Sequence, residues 1–363
     1  MSTVAYGSGA VAPGPDAQGL VDLRSDTVTR PTPAMAAAMA AAALGDDVFG
    51  DDPTVNRLQA RLAEVLGFED ALFMPSGTAS NLCALLTHCG RGDEYLVGQM
   101  AHTYRYEGGG AAVLGGIQPQ PLPQQADGSL ALADIAGAIK PDDMHFARSR
   151  LLCLENTWNG NVLPLDYLRE ATALARSRGL ACHLDGARLF NAAVATAGPG
   201  GDPYATARAI AGHFDSVSVC FSKGLGAPVG SVLCGSRAFI AQARRARKMT
   251  GGGMRQVGSL AAAALHALEH HVHRLADDHA LARRLAEGLA GLDGLAVTAP
   301  QTNIVFAQLQ GAAAGRGAEL LAHLQRQGVL ATGLIGLRFV THLDVDTAGI
   351  DRAVAAVREF LAA

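Results

Sequence analysis

The sequence predicts an α/β chain in which a large domain with a mainly parallel sheet is followed by a small C-terminal α/β domain. Three observations predict it. From Asp46 to about Leu265, short apolar runs alternate with longer helical patterns, the signature of βαβ units and parallel strands. Those runs end in Gly, Asp or Ser, and the C-terminal ends of strands are where an open α/β sheet takes its ligands. At His266 the composition turns rich in His and Arg, and the remaining stretch of about 100 residues is long enough for a second domain. The expected organisation is a lead-in over 1–19, a large domain over 20–265 and a small domain over 266–363.

The lead-in is small and polar, with Gly and Pro, and lacks the basic and apolar segments of a signal peptide, so it reads as disordered. Ala-rich Pro33–Leu44 is a helix by propensity. Pro53–Leu66 has amphipathic helical spacing. Ala71–Met74 reads as a buried strand, Pro75–Thr78 as a tight turn and Ala79–Cys89 as the helix it opens. Further strands are expected at Tyr95–Val97, Ala112–Leu114, Arg150–Leu154, Ala181–Leu184, Ser216–Cys220 and Ser231–Cys234, with a helix at Leu165–Ser177. In the second domain His266–Leu292 reads as one long helix. A strand near Asn303–Leu309, a helix near Gly317–Gln327, a strand near Leu337–Thr341 and a last helix, Ile350–Leu361, follow.

With 363 residues, 49% hydrophobic and 17% charged, the chain can bury two cores and is not of disordered composition. A net charge of -4 argues against nucleic acid or an acidic membrane surface as partner. No apolar stretch approaches the ~20 residues of a membrane span. The cysteines form no CxxC pair and most lie in apolar runs, the pattern of buried reduced thiols; a cytoplasmic location fits. Among 29 basic residues the only lysines are Lys140, Lys223 and Lys248. An amine, unlike a guanidinium, can lose its proton and attack a carbonyl.

Three features fall at predicted strand ends. Ser76-Gly77-Thr78 opens a helix after a strand. Gly77 permits close backbone approach, and the free N–H groups with the Ser76 and Thr78 hydroxyls suit a phosphate; the competing reading is a plain N-cap turn. Asp185, in His183-Leu184-Asp185-Gly186-Ala187-Arg188, ends an apolar strand, where a carboxylate needs a cationic partner. A protonated pyridine nitrogen would serve, as would Arg188. Lys223 follows the strand Val217–Cys220 and opens the segment Gly224-Leu225-Gly226-Ala227-Pro228-Val229-Gly230. This is GxGxxxG rather than a dinucleotide GxGxxG, with Pro228 where a helix should begin. A lysine among small residues there can be desolvated and made nucleophilic. Phosphate turn, carboxylate and amine, in that order, describe pyridoxal 5′-phosphate in a fold-type-I enzyme.

From Leu20 onward the chain resembles the low-specificity L-threonine aldolases. The resemblance is carried by Asp22–Thr29, Gly45–Thr54, Leu154–Thr157, Asp185–Arg188, Lys248–Gln256 and Val340–Asp344. It implies an aspartate aminotransferase-like fold, with Lys223 as the Schiff-base lysine, Asp185 on the ring nitrogen, and Gly77 and Thr78 on the phosphate. It implies that Arg255 reaches the phosphate of a neighbouring subunit's cofactor, so that the site lies at a dimer interface of a homo-oligomer, commonly a homotetramer. Ser25, Arg188 and Arg338 would hold the substrate carboxylate, fixing the torsion about Cα so that the breaking bond lies perpendicular to the ring. His102 would stack on the ring and share proton transfer from the β-hydroxyl. His145 is the second candidate for that hydroxyl, and Tyr106 would line the pocket for the β-substituent. The implied reaction is retro-aldol cleavage of L-threonine, L-allo-threonine or a related amino acid to glycine and an aldehyde. The rivals are another β-eliminating lyase on the same cofactor and a catalytically silent scaffold or amino-acid sensor. His266-Ala267-Leu268-Glu269-His270 matches a short zinc pattern in a helix already crowded with histidines, and no metal is assigned.

Overall fold

The computed structural model describes residues 19–333 and 336–363; the expected lead-in lies outside them except for Gly19. By internal packing the described residues form two compact units, one of Arg30–His273 and one of those up to Thr29 with those from Arg274 on. The described strands are β1 (Val21–Asp22), β2 (Asp70–Met74), β3 (Asp93–Gly98), β4 (Gln118–Leu122), β5 (Arg148–Glu155), β6 (Ala181–Gly186), β7 (Ser216–Cys220), β8 (Ser231–Gly235), β9 (Leu295–Val297), β10 (Ile304–Leu309), β11 (Val329–Leu330) and β12 (Leu337–Val340).

The large unit is built on a seven-stranded sheet of order β2-β8-β7-β6-β5-β3-β4. Strands β7, β6, β5, β3 and β4 are mutually parallel, and β8 runs antiparallel to both neighbours. Strands β7 and β8 are buried along their whole length and β2 and β6 along nearly all of it. Burial on both faces explains their near-continuous apolar runs in place of alternation. The helix Pro53–Leu66 shows how local signals set an element. Asp52 caps it by accepting from Thr54 N and Val55 N, and Gly67 closes it at φ 81°. Its buried stripe Val55, Leu58, Leu62 and Leu66 follows the helical period.

Three expectations need correction. Ala112–Leu114 is not a strand but the middle of the helix Gly110–Gly115, bracketed by left-handed Gly109 and Gly116. A short apolar run cannot by itself distinguish strand from helix. The strand instead follows it, in the proline-bearing β4. Prolines are tolerated there because β4 is the sheet edge. Second, His266–Leu292 is two helices, Gly258–His270 and Leu275–Leu289. Between them the His271 ring donates from Nδ1 to Leu225 O at 2.8 Å, and Val272 and Leu275 are both fully buried at the break. Third, residues 20–29 pack with the C-terminal unit, because β1 pairs in parallel with β11, and the second boundary falls at 273/274 rather than 265/266.

The smaller unit carries the antiparallel sheet β12-β10-β9 and the helices Leu275–Leu289, Gly317–Arg326 and Thr347–Ala362. Leu285, Leu289, Phe339, Ile350 and Val357 form its core. No helix among the described residues is long and apolar enough to cross a membrane.

Candidate active site

The C-terminal ends of β5, β6 and β7 lie side by side, with Glu155 in register with Asp185. Past β7, the loop 221–230 folds on itself through Phe221 N to Gly230 O at 3.0 Å, Ala227 N to Phe221 O at 3.0 Å and Gly226 N to Lys223 O at 2.8 Å. Gly226 and Gly230 sit at φ 84° and 108°, a backbone region open to glycine, and His271 braces the loop at Leu225 O. Lys223 is partly buried there, in a pocket with Ala187, Arg188, Cys220 and Gly224. The other two lysines have different settings. Lys140 is tied to the buried Glu94 and donates to Gln120 Oε1 at 3.0 Å, and Lys248 is exposed on the helix Arg237–Met249.

Asp185 is buried. Its Oδ2 accepts from Asn81 Nδ2 at 2.9 Å and its Oδ1 from Ala187 N at 3.1 Å, both neutral donors. Asn81 Nδ2 also donates to Glu107 Oε1 at 2.9 Å, and His102 Nδ1 donates to the same oxygen at 2.8 Å. Ligating atoms of His102, Glu107 and Asp185 all lie within 4.8 Å of one another. Glu155 Oε2 accepts the backbone N–H of His102 at 2.8 Å, fixing the start of the helix His102–Arg105. Burial, then the neighbouring Asp185 charge, pushes the Glu155 carboxyl up to about 7. Burial likewise raises Glu107, and the Glu107 hydrogen bond raises His102. The Lys223 and Asp185 charges both act on His102, Glu155 and the buried Cys220 thiol, and Asp185 ends β6 while Lys223 follows its parallel neighbour β7.

Ser76 caps the helix Gly77–His88 by accepting from Ala79 N at 3.1 Å. The capping reading of this turn therefore holds for its hydroxyl oxygen, while Gly77 and Thr78 are the first helical residues, whose N–H groups lack intrahelical acceptors. A Cβ at Gly77 would meet Cys220 Sγ at 2.6 Å. Gly77→Ala is therefore expected to overpack the turn at a cost of about 1–3 kcal/mol, visible as a lower Tm. Adding Cys220→Ala should recover much of that loss; no recovery would mean the clash is not with the thiol.

The other expected site residues are spread over both units. Arg188 is the residue before the helix Leu189–Ala197 and lines the Lys223 pocket. The Tyr106 ring is 5.8 Å from that of His102. His145 sits on an exposed loop, its Nδ1 donating to Asp143 Oδ1 at 2.6 Å. Arg255 is exposed and paired with Asp46 at 3.0 Å. Ser25 and Arg338 belong to the smaller unit. Ser25 caps the 3-10 turn Asp26–Val28, and Arg338 Nη2 donates to Arg24 O at 3.2 Å. Sequence reasoning missed Asn81 and Glu155. A detectable signal existed for Asn81, a polar residue amid the apolar stripe of a helix, where Asn is disfavoured unless it has a partner.

The site suits pyridoxal phosphate. A buried carboxylate supplied with neutral donors can take a ring N–H⁺, and a helix N-terminus beside it can take a phosphate. Just past Glu155, Asn156 Nδ2 and Thr157 Oγ1 are buried without a hydrogen-bond partner among the described residues, as expected where a ligand completes the bonding.

The mixed seven-stranded sheet with its strand-end lysine and aspartate is the fold of the pyridoxal-phosphate enzymes of fold type I. Threonine aldolase from Leishmania major superimposes with a TM-score of 0.76 at 23% identity, covering 94% of this chain and 99% of that one. Serine palmitoyltransferase from S. paucimobilis, solved with a bound PLP–myriocin adduct, gives 0.72 at 19% over 94% and 87%. At these identities the likeness is one of fold. The chain belongs to the beta-eliminating lyase family, whose model matches residues 22–312, and within it to the low-specificity L-threonine aldolases. It is 52% identical over 345 residues to the low specificity L-threonine aldolase of Escherichia coli K12, covering 94% of this chain and 100% of that protein.

Proposed function

We propose that the protein holds pyridoxal 5′-phosphate on Lys223 and cleaves the Cα–Cβ bond of L-threonine, L-allo-threonine and related L-β-hydroxy-α-amino acids, releasing glycine and the matching aldehyde. The observation that carries this reading is geometric: Asp185 ends β6, Lys223 follows the adjacent parallel strand β7, and Asn81 and Glu107 tie Asp185 to His102 through hydrogen bonds of 2.8–2.9 Å. The cofactor, when bound, supplies the electron sink for the pair left at Cα.

The chain's own groups do the rest. Asp185 holds a proton on the ring nitrogen. Gly77 and Thr78 hold the phosphate at the helix N-terminus, and Arg188 orients the substrate carboxylate. His102 would lie against the bound ring and would take the β-hydroxyl proton. Because its Nδ1–H is committed to Glu107, the neutral imidazole carries its lone pair on Nε2, the atom able to accept that proton. His145, bonded to Asp143 on an exposed loop, is given the lesser part.

The test is a side-by-side assay on L-threonine and L-allo-threonine. Glycine and acetaldehyde should appear in equal amounts; ammonia without glycine would sink the aldolase reading in favour of β-elimination.

The active form in this reading is a homo-oligomer, with Arg255 serving the phosphate of a second copy's cofactor. Phe49, Val113 and Met249 stand 77%, 77% and 72% exposed, large apolar side chains that a second copy would cover in this reading. Arg255→Ala should weaken cofactor binding about tenfold, the loss of one charge-assisted hydrogen bond. The effect should vanish at dilutions where light scattering reports a monomer. A monomeric wild type with unchanged affinity in the variant would refute it.

A further inference from the structure

The large unit holds a buried polar chain that ends on Asp185 and whose other members take no part in the reaction described above. It runs between the helix Gly77–His88 and strands β6 and β7. Asn81 and His88 lie two helical turns apart, and His183 and Asp185 two residues apart on one face of β6. His183 and Ser216 are fully buried, in the middle of β6 and at the start of β7. Five side chains link in series. Asn81 bonds Asp185 Oδ2 at 2.9 Å. Its Oδ1 lies 3.2 Å from His183 Nε2, and His183 Nδ1 lies 2.8 Å from Ser216 Oγ. Ser216 Oγ in turn lies 2.7 Å from His88 Nε2. The outer ring, His88, packs on Phe239 at 4.5 Å.

The partners along the series assign one self-consistent placement of the protons. Asn81 presents its NH2 to two carboxylates, Asp185 and Glu107, so its Oδ1 faces His183 and can only accept. His183 Nε2 therefore carries hydrogen. Burial holds His183 and His88 neutral, pushed down to about 3 and about 4, so His183 Nδ1 is a bare acceptor. Ser216 must then donate to it, and His88 Nε2–H must donate to Ser216. All the donors point the same way, toward Asp185, and bonds aligned in series in a low dielectric strengthen one another. The chain is no proton conduit, because the Asn81 amide gives up no proton.

We propose that the series His88–Ser216–His183–Asn81 locks and polarises the Asp185 carboxylate, making His183 a positioning residue for the protonated ring nitrogen of the cofactor. This rests on the pyridoxal-phosphate reading above. The polarity itself concerns the protein alone and can be read without cofactor.

The experiment therefore has two arms. In the first, apo-protein labelled with 15N-histidine is examined by long-range 1H–15N correlation. His183 and His88 should both show the Nε2–H tautomer and stay neutral from pH 5 to 8. An Nδ1–H tautomer or a charged ring at His183 would overturn the polarity. In the second, wild type, His183→Phe, His183→Gln and Ser216→Ala are loaded with 15N-labelled pyridoxal phosphate. His183→Phe should weaken cofactor binding about tenfold and move the ring-nitrogen resonance toward that of neutral pyridine. His183→Gln, whose amide can still donate to Asn81, should restore both, and Ser216→Ala should fall between. If His183→Phe fails to fold, the Gln and Ala variants carry the comparison. Unchanged affinity and unchanged resonance in folded variants would overturn the positioning role. A wild type that takes up no pyridoxal phosphate would instead overturn the cofactor reading, with the first arm still deciding the polarity.

Discussion

Lys223→Ala is expected to lower turnover on L-threonine by on the order of 10³-fold or more, the scale on which removal of a covalent nucleophile falls. The visible absorbance of lysine-bound pyridoxal phosphate should go with it. The argument is geometric. Lys223 stands on a loop that is closed by three backbone hydrogen bonds and braced by His271, so its amine is held in place beside the Arg188 pocket. Lys140 and Lys248 cannot substitute, one being engaged with Glu94 and the other exposed on a surface helix. Lys223→Arg sharpens the result. It keeps a positive charge toward His102 and Glu155 but cannot form the covalent link, so it should be as inactive as the alanine variant. Without cofactor, both proteins should melt within a few degrees of wild type, since Lys223 is only partly buried and lies outside the apolar core. Retention of more than a tenth of wild-type turnover in either would dismiss Lys223 as the anchor.

Asp185→Asn is expected to cost on the order of 10³ in kcat, or about 4 kcal/mol at 1.36 kcal/mol per tenfold. The substitution keeps shape and volume, removes the charge, and turns one of the two acceptor oxygens into an NH2 that faces the N–H of Asn81 or of Ala187. Without the carboxylate the ring nitrogen is no longer held protonated, and the electron sink weakens in the bond-breaking step more than in substrate binding. The loss should therefore appear in kcat with KM little changed. A second signature follows from the electrostatics. The Asp185 charge is one of the causes that raise the Glu155 carboxyl to about 7, so its removal should lower the Glu155 titration as followed by 13C NMR. A variant within tenfold of wild type in kcat would mean that Asp185 does not face the reacting ring, and a Glu155 that titrates unchanged would mean that the Asp185 charge does not act on it.

Much of this site was legible in the residues. Lys223, Asp185 and Gly77 each close or follow an apolar run, and a run's end is a local property that survives folding. The amphipathic helix Pro53–Leu66 was readable for the same reason, because its cap, proline and buried stripe all lie within its own sequence. The departures have two causes, a short run that is ambiguous by itself and a distant contact that outweighs a local pattern. Ala112–Leu114 could have been strand or helix, and glycines on both sides settled it as helix. The His266–Leu292 pattern is helical throughout, yet it breaks where His271 reaches Leu225.

The sequence by itself determined the fold class, the order of phosphate turn, carboxylate and amine, and the chemistry that such a set can perform, because these depend on residue type and on spacing along the chain. Only the tertiary structure decided who holds Asp185 and where the protons sit. Asn81 and Asp185 are 104 residues apart and His88 and Ser216 128 apart, and no pattern along the chain records which helix face meets which strand. Burial and hydrogen-bond partners set the charge state of each group, and both exist only once helix and sheet have packed together.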